Sequence, residues 1–185
     1  VSMAEGEVLE LQMARNLRLT YEDYLTIITY KTAALISAAC RAGALIAKVS
    51  SDQVEALAAF GLNLGIGFQL VDDALDFVGH RERLGKPVGN DFKEGKITFP
   101  VIHLLENGSW EAKRRIRELL AQEALSEGDL IEVRRLVERH HSIPATMERA
   151  QGFLEKAKSS LRGFPDSPPK RSLVLMADFV LERDW

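Results

Sequence analysis

Residues 52–79 have the pattern of one long helix that is apolar over most of its surface yet carries three aspartates near its end. In the stretch GIGFQLVDDALDF, residues 65–77, these are Asp72, Asp73 and Asp76. At about 100° per residue, the three acids and Gln69 fall within an arc of about 100°. A helix that is hydrophobic on its remaining sides is usually buried. The chain must therefore surround this helix with others and leave its acidic face toward a cavity.

Clustered acids on a buried helix are costly unless a cation lies opposite them. Two carboxylates about 6 Å apart repel by roughly 3 kcal/mol at an effective dielectric near 20, which offsets the roughly 1.5–3 kcal/mol gained by burying a leucine. Oxygen ligands suit Mg²⁺ or Ca²⁺, and Mg²⁺ typically joins one or two carboxylates to the phosphates of a substrate. The pattern predicts a divalent cation site, and a solvated acidic stripe is the alternative.

The hydrophobic pattern is helical along nearly the whole chain and shows no sustained alternation of the kind that indicates strands. The predicted helices cover about residues 3–15, 21–48, 52–79, 98–107, 109–121, 127–140, 143–162 and 168–183. Between them, segment 80–97 is irregular and rich in glycine and charge, and long loops of this kind are usually functional. We therefore predict a single all-α domain over residues 1–185.

The composition narrows the range of partners and compartments. A net charge of −3 gives no reason to expect nucleic acid. The single cysteine excludes an internal disulfide, and nothing in the sequence indicates secretion. The apolar run 33–47 is too short to span a bilayer, so we expect a cytoplasmic protein with at most peripheral membrane contact. The first residues already have a helical pattern, which suggests a piece of a longer protein.

Three lysines could complete a site for an anion. Lys31 lies in the apolar stretch TIITYKTAALISAA, where a lysine needs a partner or must extend its ammonium group to solvent. Lys86 and Lys96 each follow a glycine in segment 80–97, and glycines permit a ligand to approach the backbone. These pairs are not Walker loops, because the spacing differs and Ser or Thr does not follow either lysine.

Acids that hold Mg²⁺ and lysines that hold outer oxygens together indicate a magnesium-bridged diphosphate. Such clamps stabilise the negative charge that develops on a departing phosphate group. The implied chemistry is departure of diphosphate from carbon. Gly61 and Gly65, on the same side of the helix as the acids, either leave room for an apolar group or permit close helix packing.

The strings GFQLVDDALDFVG, LGKPVGNDFKEGKITFPVI and YKTAAL resemble the trans-isoprenyl diphosphate synthases, the polyprenyl synthetase family. The DDxxD element at 72–76 is similar to the second aspartate-rich motif of that family. GKxxGxDxxxGKxTxP at 85–100 is similar to its companion loop. The string EGEVLEL at 5–11 is most similar to long-chain members, octaprenyl diphosphate synthases among them.

This resemblance implies an isoprenoid synthase-type helical bundle around a central cavity, usually as a homodimer. It implies a prenyltransferase of isoprenoid biosynthesis that joins isopentenyl diphosphate head to tail to an allylic diphosphate. Mg²⁺ assists ionisation of the allylic C–O bond, the double bond of isopentenyl diphosphate attacks the cation, and a proton is lost.

The resemblance also assigns residues to roles. The expected metal ligands are Asp72, Asp73 and Asp76; the expected diphosphate ligands are Lys31, Lys86 and Lys96; and the expected catalytic residues are Lys31, Thr32 and Gln69. Within the metal group, Asp72 and Asp76 serve Mg²⁺ directly or through water, and Asp73 belongs to the same motif.

One departure from the family pattern is large. The family has a first aspartate-rich motif on an earlier helix, whereas Asp72-Asp73 is the only Asp-Asp pair in this chain. The resemblance therefore implies the C-terminal part of such an enzyme. We expect no prenyl transfer by the 185-residue polypeptide alone.

Other classes of helical protein remain as alternatives. A non-catalytic subunit or structural protein of the same fold would carry the DDxxD element without using it. A class I terpene cyclase commonly has an Asn/Ser/Glu metal motif, which we do not find. A di-iron bundle needs two Glu-x-x-His elements, and only Glu138-x-x-His141 occurs.

Overall fold

A computed structural model describes residues 1–78 and 89–183. Within these two ranges the secondary structure is helical and includes no strand, which confirms the all-α prediction. The α-helices in chain order are α1 (Ser2–Met13), α2 (Tyr21–Ile28), α3 (Ala34–Ile46), α4 (Ser51–Val78), α5 (Asn90–Lys93), α6 (Phe99–Asn107), α7 (Trp110–Leu120), α8 (Glu127–Arg139), α9 (Ser142–Ser160) and α10 (Pro168–Glu182).

The segment predicted as one helix over 21–48 is helical but not uniform. It begins with a capping box, in which Thr20 Oγ1 accepts from the Asp23 amide and the Asp23 carboxylate accepts from the Thr20 amide. Between α2 and α3, residues Thr29–Ala33 form a π-helical turn. A turn of this kind changes the direction of the side chains on it and is frequent at functional sites. The predicted helix over 21–48 is present from Tyr21 to Ile46, and the π-helical turn within it was not predicted.

Helix α1 lies directly against the π-helical turn. A Cβ added to Gly6 would lie 2.5 Å from the Lys31 backbone nitrogen. Only a glycine permits this approach, because real Cβ contacts are longer. The contact brings the acidic side chains of α1 close to Lys31.

Helix α4 is the central element and contacts α2, α3, α5, α6, α9 and α10. Its buried side chains include Phe60, Leu70, Val71 and Phe77. By length and composition alone, α4 could cross a membrane, but 56% of its most apolar window is buried inside the fold. It has the character of a core helix, which is what its hydrophobic circumference predicts.

Gly61 and Gly65 serve close packing of α3 on α4. A Cβ on Gly61 would lie 2.7 Å from the Ile36 carbonyl oxygen, and one on Gly65 would lie 2.6 Å from Ala33 Cα. The space beside them is filled by α3 and by the last residue of the π-helical turn. Of the two interpretations of these glycines, helix packing is correct, and room for an apolar ligand at this place is not.

Segment 80–97 is more ordered than predicted where the structure describes it. Gly89 has a left-handed backbone, with φ of 78°, and its turn leads into α5. Its amide donates to the Asp76 carbonyl at 2.8 Å, which ties the segment to the end of α4. Residues 79–88, including Lys86, lie outside the described residues.

Candidate active site

A cavity of about 250 Å³ opens between α1, α2, the π-helical turn, α4 and the segment around Lys96. Its charged lining residues are Glu10, Lys31, Asp72, Asp73, Asp91 and Lys96. A water molecule occupies about 30 Å³ in the liquid, so the cavity has room for a small anion with its hydration. The tertiary structure thus brings together acids and lysines that are distant in the sequence.

Asp73 is buried and held by hydrogen bonds within the protein. Only 2% of the residue is exposed. Tyr24 donates its hydroxyl to Asp73 Oδ2 at 2.6 Å, and Gln69 Nε2 donates to Asp73 Oδ1 at 2.9 Å. Burial raises the pKa of Asp73 to about 8, although the two donors act to lower it.

Thr32 and Gln69, two of the predicted catalytic residues, contact each other. The Thr32 hydroxyl donates to Gln69 Oε1 at 2.8 Å. Because the Gln69 amide nitrogen donates to Asp73, both ends of this amide are fixed. The chain of hydrogen bonds couples the π-helical turn to α4 and fixes the orientation of Gln69 in the cavity wall.

Asp76 anchors the segment that begins at Gly89. Its carboxylate accepts the backbone N–H groups of Asn90 and Asp91, each at 3.2 Å. Burial, followed by the charge of Asp91, raises the pKa of Asp76 to about 6, and the two N–H donors act in the opposite direction. Asp76 does not line the cavity, and its hydrogen bonds hold the start of α5 against the end of α4.

Asp72 is the aspartate of the motif with an accessible carboxylate. Its side chain is 56% exposed and lines the cavity. Arg183 Nη2 lies 3.3 Å from Asp72 Oδ1, and the Arg183 guanidinium stacks on Phe68 at 4.4 Å. The residue that follows α10 therefore reaches back to the motif, a contact across 111 positions that no sequence pattern indicates.

The three aspartates do not converge on one point. In residues 1–78 and 89–183, no group of three or more His, Cys, Asp or Glu side chains is arranged to hold a metal ion. Asp72 and Asp73 are adjacent residues, so they point about 100° apart on the helix, and Asp76 is used by backbone amides. Mg²⁺ needs only one or two carboxylates when phosphate and water supply the other oxygens. The exposed carboxylate of Asp72 fits that requirement.

Of the three lysines predicted to bind diphosphate, Lys31 and Lys96 lie within the described residues, and they share an acidic partner. Lys31 Nζ lies 2.7 Å from Glu10 Oε2, and Lys96 Nζ lies 3.8 Å from the same oxygen. Lys96 also contacts Glu94 at 2.9 Å and Asp91 at 3.6 Å. Burial acts to lower the pKa of Lys96, but its acidic neighbours outweigh burial and raise it.

Sequence reasoning missed Tyr24, Asp91, Glu10 and Arg183, and Tyr24 carries no sequence signal of its contact with Asp73. Asp91 is the aspartate of the GKxxGxD element, and that motif position was a usable signal. Glu10 belongs to the string EGEVLEL, but its spacing gives no sign that it faces Lys31. Arg183 lies at the end of the last helix, and only the fold brings it to Asp72.

Comparison with known proteins identifies the family. A sequence model of the family described as polyprenyl synthetase matches residues 1–137, well over half of the chain. The chain belongs to the polyprenyl synthetase family. The resemblance drawn from its motifs is therefore confirmed.

Among the curated relatives of this chain is the short chain isoprenyl diphosphate synthase of Methanothermobacter thermautotrophicus. It is 36% identical over 187 residues, and the match covers 100% of this chain and 56% of that protein. The octaprenyl diphosphate synthase of Escherichia coli is 35% identical, with 98% of this chain and 56% of that protein covered. The chain thus spans about half the length of the curated relatives it matches.

A solved structure agrees with the fold. The polyprenyl synthase of Caulobacter crescentus, complexed with calcium and isoprenyl diphosphate, matches this chain with a TM-score of 0.93 at 39% identity. The match covers 98% of this chain and 56% of that one. The predicted isoprenoid synthase-type fold is confirmed.

Proposed function

We propose that the cavity binds the diphosphate of an allylic substrate in a prenyltransferase that condenses it head to tail with isopentenyl diphosphate. The observation that carries this proposal is that Lys31, Lys96, Gln69 and Asp72 line one cavity, although they come from three separate segments. Lysines and a divalent cation on one anion are the arrangement that stabilises a departing phosphate group. The relative complexed with calcium and isoprenyl diphosphate supports the same chemistry.

The residues present fit Mg²⁺, with Asp72 as its protein ligand. The Asp72 carboxylate is exposed to the cavity, and hard oxygen donors are what Mg²⁺ prefers. When bound, Mg²⁺ neutralises diphosphate charge and assists departure of that group from carbon. In this proposal Asp76 acts on the site through α5, and Asp73 acts through its hydrogen bonds to Tyr24 and Gln69.

The remaining residues hold the substrate and the charge that develops on it. Lys31 and Lys96 donate to the outer diphosphate oxygens, and Lys86 is proposed for the same role from the family motif. Thr32 and Gln69, fixed by their mutual hydrogen bond, are proposed to stabilise the positive charge on the allylic carbons. Preorganised dipoles of this kind lower the barrier because they need no reorientation during reaction.

The first test is calorimetric titration of the 185-residue chain with inorganic pyrophosphate, with and without MgCl₂. We expect Mg²⁺ to strengthen binding, because the cation joins Asp72 to the anion. Asp72→Asn should remove most of this gain, about tenfold or more in Kd, since one direct carboxylate ligand is lost. Asp52→Asn is the matched control, because Asp52 is an exposed residue in the first turn of the same helix. The proposal would be contradicted if pyrophosphate binding did not depend on Mg²⁺. It would also be contradicted if Asp72→Asn had the same Kd as Asp52→Asn in the presence of Mg²⁺.

The second test concerns catalysis. In a polypeptide that also carries the first aspartate-rich motif, Asp72→Ala should lower kcat by orders of magnitude in an assay with isopentenyl and farnesyl diphosphates. Product analysis by chromatography would then measure chain length, for which the resemblance favours a long product. The 185-residue chain alone should show no condensation. If the wild-type chain shows no Mg²⁺-dependent binding of pyrophosphate, the result would instead favour a non-catalytic subunit.

We also propose that the complete enzyme works as a homodimer. Large apolar side chains are exposed on α3, including Leu35, Leu45 and Ile46. Exposed apolar residues on one helix are consistent with a protein surface that is covered in an assembly. Sedimentation equilibrium would show a monomer if this proposal is wrong.

A further inference from the structure

We infer that Glu10 is a positioning residue that competes with the diphosphate for Lys31 and Lys96 and thereby sets how tightly the site holds that anion. This inference rests on the proposed function of the cavity. It adds to the site an acidic residue that weakens diphosphate binding. Its physical basis is the place that one carboxylate occupies between two lysines.

The geometry places Glu10 at the point where the two lysines meet. Glu10 Oε2 accepts a charge-assisted hydrogen bond from Lys31 Nζ at 2.7 Å. The same oxygen lies 3.8 Å from Lys96 Nζ. The Glu10 side chain is only 19% exposed and lines the cavity. An incoming phosphate oxygen that bound both ammonium groups would need the place that this carboxylate oxygen holds.

The charges around the cavity make this competition consequential. Lys31 and Lys96 are its cationic lining residues in the described ranges, whereas its acidic lining residues are Glu10, Asp72, Asp73 and Asp91. The cavity is therefore not an open cationic pocket, and an anion must exchange with Glu10 for contact with the lysines. A negative charge beside the binding place repels a bound anion, and the repulsion is stronger in a partly buried cavity than in water. Removal of this one charge should therefore strengthen anion binding.

Glu7 provides the matched comparison on the same helix. Its carboxylate lies 3.8 Å from Lys31 Nζ, but its side chain is 57% exposed and does not line the cavity. Solvent screens such an exposed pair, which leaves it with little influence on the site. Glu7 and Glu10 thus share residue type, helix and partner lysine, and they differ in whether they compete with the anion.

The experiment is calorimetric titration of inorganic pyrophosphate into the wild-type 185-residue chain and into E10Q and E7Q, each with and without MgCl₂. We expect E10Q to lower the Kd for pyrophosphate about tenfold, because the amide fills the same space without the negative charge. E7Q should stay within about twofold of the wild type. A gain in affinity is a readout that damage to the structure would not produce.

E10A provides a second variant that removes both the charge and the reach of the side chain. If Glu10 competes with the anion, E10A also tightens pyrophosphate binding. If Glu10 only held the lysines in place, its removal would leave them disordered and pyrophosphate binding would weaken. Circular dichroism identifies which variants are folded, and the folded ones decide the question. Weaker binding, or binding equal to E7Q, overturns the inference.

The two proposals fail in different ways. If the wild type binds pyrophosphate with Mg²⁺ but E10Q and E10A do not bind it more tightly, the role of Glu10 falls and the proposed function stands. If neither the wild type nor the variants bind pyrophosphate with Mg²⁺, the proposed function falls and the role of Glu10 falls with it.

Discussion

Asp73 illustrates how one residue of a motif can differ from its neighbours in charge. Its carboxyl group is buried, contacts Tyr24 and Gln69, and has a pKa raised from 3.8 to about 8. Asp72, the preceding residue, is exposed at the cavity. The sequence places both on one helix face, but burial and hydrogen-bonding partners decide which one is available to a ligand.

The pKa of Asp73 leads to a prediction about stability in the absence of metal. Between about pH 4 and pH 8 the folded state keeps the Asp73 proton that the unfolded state has lost. The unfolded state then binds fewer protons, so the free energy of unfolding falls as the pH rises. The contribution of Asp73 is complete below about pH 4 and is lost as the pH rises to about 8.

Urea unfolding at pH 5 and pH 8 in EDTA would measure this effect. D73N should show a flatter pH dependence than the wild type, because asparagine does not titrate. The comparison of variants isolates Asp73 from His103, whose pKa is lowered by burial and whose contribution is lost as the pH falls. A D73N variant with the wild-type slope would show that Asp73 keeps its ordinary pKa.

At the scale of single elements, α3 and α4 depend on small residues where they cross. Gly65 lies against Ala33, and an added Cβ would overlap its Cα at 2.6 Å. Gly152 lies within α9 with no atom within 4 Å of an added Cβ. Both are helical glycines, but only one is required by packing.

Gly65→Ala should therefore lower the free energy of unfolding by about 1–3 kcal/mol, since overlap with the Ala33 backbone outweighs the better helix propensity of alanine. Gly152→Ala should raise it by about 0.5–1 kcal/mol, because only the propensity changes. Urea denaturation of both variants would measure the difference. Equal effects at the two positions would mean that α3 moves away from α4 at little cost.

The π-helical turn is an element that the sequence pattern does not reveal. Apolar spacing predicts a helix across 21–48, and the extra residue of a π turn changes that spacing by too little to detect. The turn carries Lys31 and Thr32, two of the predicted site residues. The turn contacts Gly6 of α1, and its Thr32 donates a hydrogen bond to Gln69 of α4. Contacts between distant segments therefore accompany the turn, and the local sequence does not reveal them.

For the molecule as a whole, α4 connects the earlier and the later helices. It contacts α3 as well as α9 and α10. Leu154 of α9 is fully buried, and its side chain lies 2.7 Å from the position of a Cβ on Gly67 of α4. A shared central helix favours one cooperative unit, which is the single domain that the sequence analysis predicts.

Leu154→Ala tests whether the helices unfold as one cooperative unit. Loss of the buried side chain should cost about 2–5 kcal/mol, and the whole transition should shift together. Urea unfolding followed by far-UV circular dichroism, with native-state hydrogen exchange of α3 and α9 amides, would measure it. A variant that loosened α9 while α3 kept its wild-type protection would show two units instead of one.

The sequence by itself determined the helical class, the central place of α4, the family and the short set of acids and lysines that carry the proposed chemistry. These follow from periodicity and from motifs, which are local properties of the chain. The tertiary structure decided which aspartate has an exposed carboxylate at the cavity, that Glu10 lies between two lysines, that Arg183 reaches Asp72, and that Gly61 and Gly65 serve packing. Those facts depend on burial and on contacts between distant segments, and both exist only after the helices have packed.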